Sequence, residues 1–599
     1  MRKSCTPEIL STLQESRWSL RDFNAAAAFF LASAAVVLWQ NAHLAILWDA
    51  SYTLESSLRI AQGQMPYRDF PFVHAPLTFL MQAAIIRITG RVFFHHFLYA
   101  AFACGAGTVL CWRIVLKTLE PTQRSAWPVS LLLTAPLTVL GIYSILPFPS
   151  YDCDSALSIL LAVFLLQRLP SDFVASPMIP RRAFVRPFIA GAALALPLFV
   201  KQNIGLPFLL TAFGLILSLL IARSLRRNSP SPNRAALSAV LTGAVALPIV
   251  AALLLHFTAG VGNYIHWTIR FAAERRLPGL QDMLSVYTEP ALLWELPLIA
   301  AALLLLCSPF AKSIWARLAA LALLSAPFVW TLISLFLSSD ADDRADSLLA
   351  LWPLLLIISA ALTLWNLFRK PSLRAVVPVL LLAAIHGTFL SQQLWGSTYA
   401  IWPLLTILIA EMIAFLAEIK QTKAAADSSP RSLFLSPALS VVIAATLFIS
   451  GGLYTVSEER LSYAQLPDGS ILHSTFSALK GLSITGPYLP EFEELLRFSA
   501  REIPFNDGLI LIPGEDPFYF TTGRTPQFPV LLFDRSTDPY SPAQLVEEAQ
   551  RHKIRWLIVK RNLQIKEDVT PQREATMNAL LQVFHPYRKL RAYDIYRRP

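Results

Sequence analysis

Apolar runs of about 20 residues recur along the chain, separated by short polar stretches. A helix needs about 20 mostly apolar residues to cross the hydrocarbon core of a bilayer, so each run is a candidate membrane span. The runs cover residues 25–47, 93–115, 127–147, 153–168, 186–201, 203–222, 235–257, 290–308, 315–338, 347–368, 374–390, 396–417 and 433–455. The pattern predicts a polytopic α-helical membrane protein with about 13 spans.

One further apolar segment, residues 76–91, decides the orientation. Counting it as a span would place every later loop on the opposite side of the membrane. If it only dips into the interface, the basic residues gather in loops on the side of the N-terminus, and acidic residues gather on the opposite side. Because basic residues mark the cytoplasmic side of short loops, the N-terminus is predicted to be cytoplasmic.

The composition supports a membrane protein. The 599 residues are 55% hydrophobic and 15% charged, with a mean hydropathy of +0.51, whereas soluble proteins average about 25% charged residues. The formal net charge of +11 would suggest nucleic-acid binding in a soluble domain, but basic residues of membrane proteins gather in cytoplasmic loops. We therefore exclude nucleic acid as a partner. The five cysteines show no spacing typical of a metal site or a disulfide framework.

A change in composition near residue 456 divides the chain into three parts. Residues 1–24 are predicted to form a cytoplasmic tail, and residues 25–455 a transmembrane domain whose first outer loop covers 48–92. Residues 456–599 are predicted to form an α/β domain. With an odd number of spans, this domain lies outside the cytoplasm.

Local patterns predict some elements of this outer domain. Helix starts are predicted at Ser541-Pro542 and Thr570-Pro571, since a capping residue followed by proline is typical of the first helical turn. Short apolar strands are predicted at Leu509–Ile512, Val530–Phe533 and Trp556–Val559.

Ionisable residues concentrate in three places on the predicted outer face. They are Asp49, Glu55, Arg59, Arg68, Asp69 and His74 in the first outer loop, Asp152 and Asp154 at the start of a span, and Lys201 between two apolar runs. An ionisable residue at a membrane interface costs free energy unless it is paired or solvated, so such residues are candidates for function. A carboxylate accepts a proton from an attacking hydroxyl, and a partly desolvated cation neutralises a phosphate leaving group. These groups together suggest group transfer from a phosphate-bearing lipid.

Structural roles compete with each functional interpretation. Asp49 is also placed to cap a helix at the interface, and Asp152 or Asp154 to cap the following span. Lys201 is long enough to reach the headgroups from within a span. For the whole chain, two other functions are open: a transporter or flippase of lipid-linked saccharides, and a non-catalytic scaffold of envelope assembly. A transporter needs polar groups along the middle of its spans, and this chain has few.

Two stretches carry a resemblance to a known family. An aspartate directly after the first span, followed by GQMPYRDFPFVHAPLTFLMQAAIIRITG, resembles the first outer loop of the GT-C glycosyltransferases that use polyprenyl-phosphate sugars. These include the protein O-mannosyltransferases and the lipid A aminoarabinose transferases. The stretch GLILIPGEDPFYFTTGRTPQFP resembles their outer-domain segment, in which a strand leads to an aromatic-Thr-Gly-Arg turn. The order of these features covers nearly the whole chain.

The resemblance implies a membrane glycosyltransferase. Such an enzyme moves a sugar from a polyprenyl-phosphate donor, here undecaprenyl phosphate, to an envelope lipid, glycan or protein acceptor on the outer face of the bacterial inner membrane. It implies that Asp49 is catalytic, that Asp154 is the second acidic residue with Asp152 as the alternative, and that Lys201 binds the donor phosphate. The transfer is expected to invert the anomeric carbon.

The sequence departs from the family where many members read Lys-Pro-Pro-Leu. Here His74 begins the corresponding tetrapeptide, and Val73 replaces the preceding acid. The resemblance therefore implies that Arg59, Arg68 or His74 supplies the missing phosphate contact and that Asp69 supplies the missing acid.

The remaining expectations concern the sugar and the cofactors. Residues 258–290 are expected to close over the site as a loop. The resemblance requires no cofactor and leaves room for a divalent metal ion, with Asp49 and Asp154 as its ligands. The acceptor or sugar contacts are predicted to be Glu55, Asp69, Tyr264, Trp267 and Arg270.

Overall fold

The computed structural model describes most of the chain. The described residues are 18–43, 47–123, 125–144, 146–169, 181–225, 231–338, 348–369, 373–390, 400–424, 435–456, 469–534, 537–561, 563 and 571–599. Most of the predicted cytoplasmic tail lies outside them.

Helices make up nearly all of the described chain up to residue 455. The N-terminal helices are α1 (Leu20–Asn41), α2 (Leu47–Ala61), α3 (Leu77–Thr89), α4 (Phe93–Leu119), α5 (Ala126–Thr134), α6 (Leu137–Leu140), α7 (Tyr151–Gln167), α8 (Arg181–Ala195), α9 (Gln202–Leu225) and α10 (Ser231–Phe257). The helices that follow are α11 (Val261–Ile265), α12 (Ala272–Arg276), α13 (Leu280–Leu284), α14 (Leu292–Cys307), α15 (Ile314–Leu337), α16 (Leu351–Arg369), α17 (Leu373–Thr388), α18 (Trp402–Ala424) and α19 (Leu435–Thr455). A π-helical turn, His266–Phe271, joins α11 to α12, and 3₁₀ turns cover Leu196–Phe199, Ser285–Thr288 and Pro309–Lys312.

Seven helices of the described residues are long and apolar enough to cross a membrane. The bent pair Leu280–Thr288 and Leu292–Cys307, which turns by 54°, would be an eighth span. These helices support a multi-pass membrane protein, whereas the count of 13 spans and the orientation stay predictions. The seven spans are Leu20–Asn41, Phe93–Leu119, Gln202–Ala222, Arg234–Phe257, Ile314–Leu337, Leu351–Arg369 and Leu435–Thr455.

Helix α3 is the segment on which the predicted orientation depends. It has 13 residues, which at 1.5 Å per residue extend about 20 Å. The hydrocarbon core is about 30 Å thick, so α3 is too short to cross it unaided. This length supports the prediction that residues 76–91 only dip into the interface.

Prolines break two of the predicted spans. The run 127–147 forms α5 and the short α6, with Pro136 as the N-cap of α6, because proline lacks the N–H that would continue the preceding helix. Pro197 stands in the 3₁₀ turn that ends α8. Lys201 follows this turn and precedes α9, so it lies at a break between two helices.

Close helix packing depends on glycine where α8 meets α10. A Cβ atom on Gly191 would lie 1.9 Å from the Val240 carbonyl oxygen, and one on Gly243 would lie 2.0 Å from the Phe188 carbonyl oxygen. Small residues let helices in membranes approach to backbone contact. These two glycines therefore allow close packing of α10 against α8, the helix whose following 3₁₀ turn leads to Lys201.

The described residues after 468, which we call the outer domain after their predicted location, contain a four-stranded sheet with the order β3-β4-β6-β5. Strands β3 and β4 are parallel, and the other neighbours are antiparallel. A separate antiparallel pair, β1-β2, precedes the sheet. The elements are β1 (Ile471–His473), β2 (Ser483–Thr485), α20 (Tyr488–Glu502), β3 (Gly508–Ile512), α21 (Phe518–Thr522), α22 (Pro542–Arg551), β4 (Ile554–Lys560), α23 (Pro571–Leu581), β5 (His585–Lys589) and β6 (Tyr593–Arg597), with a 3₁₀ turn at Ser477–Leu479.

Two of the three predicted strands are confirmed as β3 and β4, and the helix starting at Pro542 is confirmed with its cap. The Ser541 hydroxyl accepts the Gln544 N–H, and the Gln544 side chain accepts the Ser541 N–H. Helix α23 begins at Pro571 as predicted, while Thr570 lies outside the described residues. The prediction of a strand at Val530–Phe533 is wrong. Val530 and Phe533 pack against the sheet, and the Phe533 N–H donates to the Pro513 carbonyl oxygen just after β3 at 2.9 Å. The segment adds no strand, so β3 remains an edge strand of the described sheet.

Candidate functional site

Lys201 and Asp152 form an ion pair between two helix starts. Asp152 lies in the first turn of α7, where its N–H donates to the Ser150 hydroxyl, the N-cap of that helix. The side chains are only 8% and 11% exposed. A buried ion pair is weak evidence for stability because desolvation offsets much of its attraction. The pair is therefore better explained by a functional role than by a contribution to stability.

His74 joins the first outer loop to this ion pair. Its ring stacks on Tyr151 with the centroids 4.4 Å apart, and the Lys201 ammonium lies 5.4 Å from the centroid of the same tyrosine ring. Tyr151 thus contacts both a loop residue and the buried cation. The structure brings together His74, Asp152 and Lys201, which were predicted from separate parts of the sequence.

Asp49 is exposed and belongs to the helix whose Tyr52 contacts His74. Helix α1 ends at Asn41, and Asp49 lies in the first turn of α2, so the expectation that it directly follows the first span is wrong. Tyr52 is one turn further along α2, and residues three apart share a helix face. The Tyr52 ring contacts His74 at 5.5 Å between centroids. Asp49 is therefore placed on the face of α2 that also carries the contact to His74.

Asp154 occupies a different environment from Asp152. It is 3% exposed and accepts hydrogen bonds from the hydroxyls of Thr78 at 2.7 Å, Tyr99 at 2.8 Å and Tyr143 at 2.6 Å. These donors come from α3, α4 and the segment before α7. The carboxylate therefore ties three parts of the transmembrane domain together.

Glu55 and Arg59 face the outer domain. The Arg59 guanidinium donates to the Pro529 carbonyl oxygen at 2.9 Å and lies 4.2 Å from the centroid of Phe70. Glu55 accepts the Phe520 N–H at 3.1 Å, and burial raises the pKa of Glu55 well above its ordinary value. Neither side chain lies on the exposed surface of the loop.

Further side chains of the loop bind the same stretch of the outer domain through its backbone. Gln62 donates to the Gly523 carbonyl at 3.2 Å and Gln64 to the Pro526 carbonyl at 3.0 Å. Arg91 donates to the carbonyls of residues 520 and 521 at 2.7 and 3.0 Å. These contacts fix the outer domain to the loop that holds Asp49.

Arg68 and Asp69 form an exposed ion pair with each other at 2.7 Å. Asp69 also accepts the Met65 N–H at 2.7 Å. A neighbouring pair of this kind satisfies both charges locally. The structure does not join them to the Lys201 ion pair.

Residues 258–290, expected as a loop, are mostly helical. Tyr264 packs edge-on against Tyr67 at 5.2 Å between centroids, and Trp267 belongs to the aromatic cluster around the first outer loop. Arg270 is exposed. The Gln202 side chain donates to the carbonyls of Val73 at 3.1 Å and of residue 268 at 3.0 Å. This amide ties the helical segment to the loop and to the start of α9.

The described residues give no further support to the predicted metal site. Among the described residues, no three His, Cys, Asp or Glu side chains are close enough together to hold a metal ion. Both oxygens of Asp154 already accept hydroxyl hydrogen bonds. A metal ion bound by Asp49 and Asp154 stays a prediction.

Sequence reasoning missed the residues that connect the predicted ones. Tyr52 contacts His74, and Tyr151 contacts both His74 and Lys201. One signal was available: Asp49, Tyr52, Ser56 and Arg59 are spaced three, four and three residues apart, which places them on one helix face.

Comparisons with known proteins find structural similarity along almost the whole chain. No protein-family model and no curated protein matches the sequence. ArnT from Cupriavidus metallidurans bound to undecaprenyl phosphate is 11% identical, with 95% of this chain and 97% of that chain covered and a TM-score of 0.48. The Archaeoglobus fulgidus oligosaccharyltransferase with zinc and sulfate is 11% identical, with 89% and 68% covered and a TM-score of 0.48. AglB from the same organism, with an inhibitory peptide and a dolichol-phosphate, is 12% identical, with 90% and 69% covered and a TM-score of 0.47.

These structures are of the kind that the sequence resemblance named. At 11–12% identity and TM-scores below 0.5, they assign neither a substrate nor a catalytic residue to this chain.

Proposed function

We propose that this protein is a membrane glycosyltransferase that moves a sugar from a polyprenyl-phosphate carrier to an envelope acceptor on the outer face of the inner membrane. The observation that carries the proposal is the buried ion pair of Lys201 with Asp152, joined through Tyr151 and His74 to the helix that presents Asp49. A cation, a carboxylate and stacked rings at one point suit a reaction in which a phosphate leaves.

The donor phosphate binds at Lys201 in this proposal. The Lys201 ammonium has three N–H donors, so it can contact a phosphate oxygen while it remains paired with Asp152. In a partly desolvated site, such a contact stabilises the negative charge that develops on the leaving phosphate. His74 approaches this point through its contact with Tyr151, and it takes the position that the resemblance gives to a second phosphate contact.

Asp49 acts as the general base. It is exposed and lies on the α2 face that leads to His74, so an acceptor hydroxyl can reach it from outside. The acceptor oxygen forms a bond to the anomeric carbon as the bond from that carbon to the phosphate oxygen breaks. The electron pair of that bond leaves with the phosphate, and the hydroxyl proton passes to Asp49. Attack from the face opposite the phosphate inverts the anomeric carbon.

Asp154 is a positioning residue in this proposal. Its three hydroxyl partners come from α3, α4 and the segment before α7, and they hold the start of α7 against the first outer loop. Asp152 lies two residues earlier on the same helix. Asp154 therefore acts on the reaction through the placement of Asp152.

Release of the carrier phosphate tests the proposal directly. The full chain, purified in lipid nanodiscs, is incubated with lipid-linked sugars and acceptor-containing membrane extract, and polyprenyl phosphate is measured by mass spectrometry. We expect wild type to release it. Asp49→Asn should lower the rate by about 10²–10⁴-fold, the usual contribution of a general base, and Lys201→Gln by about 10²–10³-fold, the usual effect of losing one donor that stabilises developing negative charge. Arg497→Gln, which removes an exposed charge of the outer domain, is the control. A flippase would move the lipid without releasing its phosphate, and a scaffold would do neither.

A further inference from the structure

A recess lies between the first outer loop and the outer domain. It is bounded on the loop side by Tyr52, Ser56, Arg59, Phe70 and Phe72, and on the outer-domain side by residues 529–532. We call it the Arg59 recess. The space in it that a water-sized group can enter is about 10 Å³, about what one water molecule needs. One oxygen of an anionic group therefore fits within the recess.

Arg59 is a buried cation without an acidic partner. The residue is 2% exposed, and within the described part of the chain no carboxylate lies at ion-pair distance from its guanidinium. Burial lowers the pKa of Arg59 to about 10, so it stays charged at neutral pH. Buried charges in proteins are normally paired, and one that lines a recess without a partner is suited to bind an anion.

The guanidinium is held with one nitrogen unused. Nε donates to the Gln64 side chain and Nη1 to the Pro529 carbonyl oxygen, while Nη2 has no acceptor among the described residues. The Ser56 hydroxyl, which also lines the recess, is buried and lacks a partner there too. Hydrogen bonds from a charged group to an oxyanion are about twice as strong as neutral ones. Nη2 and this hydroxyl therefore form a ready pair of donors for one oxyanion.

The position of Arg59 separates it from the donor phosphate. It lies ten residues after Asp49 on α2, about 15 Å along the helix, and its guanidinium is fixed against Phe70. A leaving phosphate has to lie next to the reacting carbon. Tyr52 lines the recess and also contacts His74, so it separates the recess from the Lys201 ion pair.

We infer that the Arg59 recess binds an oxyanion, a phosphate or a carboxylate, carried by the acceptor. Resting on the proposed transferase function, this inference assigns the acceptor to an anionic class. The anionic group lies on Arg59 and Ser56, and the remainder of the acceptor follows the face of α2 past Tyr52 to Asp49. This assignment replaces the prediction that Arg59 contacts the donor phosphate.

Anion binding can be measured without the unidentified acceptor. The probe is inorganic phosphate, with acetate as the carboxylate counterpart, added to the purified full chain at constant ionic strength while the melting temperature is followed. We expect a saturable rise of the melting temperature in wild type. Arg59→Gln should abolish the saturable part, Arg59→Lys should retain some of it, and Arg497→Gln should keep it unchanged. The probe with the larger rise identifies the class of oxyanion.

A second variant distinguishes loss of the anion site from misfolding of Arg59→Gln. Ser56→Ala removes the hydroxyl donor without removing either fixed partner of Arg59 or adding volume, and it should weaken phosphate binding about tenfold. The inference is overturned if wild type shows no saturable response, if Arg59→Gln responds like wild type, or if only Lys201→Gln removes the response. Carrier release is measured separately. Transfer without binding at Arg59 contradicts this inference alone, and binding at Arg59 without transfer contradicts the proposed function alone.

Discussion

Lys201 and Asp152 pair with each other across the gap between α9 and α7, with little access to solvent. The chain reaches this arrangement through a 3₁₀ turn that places Lys201 at a helix break and through a serine cap that places Asp152 in a first helical turn. The two charges neutralise each other in the free protein. A donor phosphate would share the lysine and raise the negative charge at a point where Tyr151 and His74 also meet.

Variants of this ion pair test its contribution to stability and its role in the reaction separately. We predict that Lys201→Gln and Asp152→Asn each destabilise the protein by about 3–5 kcal/mol, because each leaves an uncompensated buried charge. The double variant should recover most of the melting temperature but none of the carrier release. The measurement is the melting temperature and transfer rate of all four proteins in one detergent. A double variant that regains transfer would contradict the role of Lys201.

Asp154 is predicted to act by positioning. Asp154→Ala leaves three hydroxyls without their acceptor, at about 1–3 kcal/mol for each that stays dry, so the melting temperature should fall clearly. Asp282→Ala removes an exposed carboxylate that accepts a single backbone N–H and should change it little. Asp154→Asn keeps an acceptor oxygen and should retain measurable transfer. An Asp154→Asn protein with wild-type stability and no transfer would instead make Asp154 catalytic.

Some features of the fold were accessible from sequence and others were not. The long apolar runs predicted helices because their length is set by the bilayer, and α15 at Ile314–Leu337 lies within one residue of the predicted run 315–338. The break at Pro136 was visible in the sequence and was overlooked. The segment Val530–Phe533 has strand composition, but which neighbours a strand acquires is decided by distant chain segments.

The same distinction applies to the candidate site, where sequence predicts some features and not others. The candidates Asp49, Asp152 and Lys201 followed from charge in apolar surroundings. The sequence analysis did not predict that Asp152 and Asp154 lie in different environments, although residues two apart on a helix point to different sides. The resemblance offered Arg59 as a substitute contact for the donor phosphate. The contact of Arg59 with the Pro529 carbonyl oxygen spans 470 residues of chain, and no local pattern encodes such a contact.

Glu55 should make stability depend on pH. Burial raises its pKa in the folded protein above the ordinary value of 4.5, so the folded state holds a proton that the unfolded state releases. Stability is therefore lost as pH rises from about 4.5 towards the raised pKa. Glu55→Gln keeps an acceptor oxygen for the Phe520 N–H and removes the carboxyl group that titrates. We predict that its gain in melting temperature over wild type is larger at pH 8 than at pH 5.

The control for this comparison is Glu547→Gln, which changes an exposed carboxylate of the same outer domain. Its difference from wild type should be the same at both pH values. A pH-independent difference for Glu55→Gln would show that the buried carboxyl does not control this dependence.

Replacing Gly523 with a residue that has a side chain should destabilise the protein, because of the backbone conformation of Gly523 and because Arg91 lies next to it. Its φ is +75°, and a Cβ atom there would lie 2.6 Å from the Arg91 guanidinium, which binds the carbonyls of residues 520 and 521. Gly63, with φ +97°, has nothing within 4 Å of such an atom. We predict that Gly523→Ala lowers the melting temperature more than Gly63→Ala, and that it also exposes the outer domain to protease. Equal losses would mean that the Arg91 contacts add nothing beyond backbone strain, which is about 1–2 kcal/mol.

The most direct test of the central claim is the intact mass of envelope glycolipids and glycoproteins from a host that lacks this gene, complemented with wild type or Asp49→Asn at matched protein levels. We predict that wild type restores a sugar-sized mass increment and that Asp49→Asn does not, because the acceptor hydroxyl then has no base. The increment would identify the sugar, and the molecule carrying it would identify the acceptor. Equal restoration by both proteins would contradict the proposed mechanism and would favour transport or scaffolding.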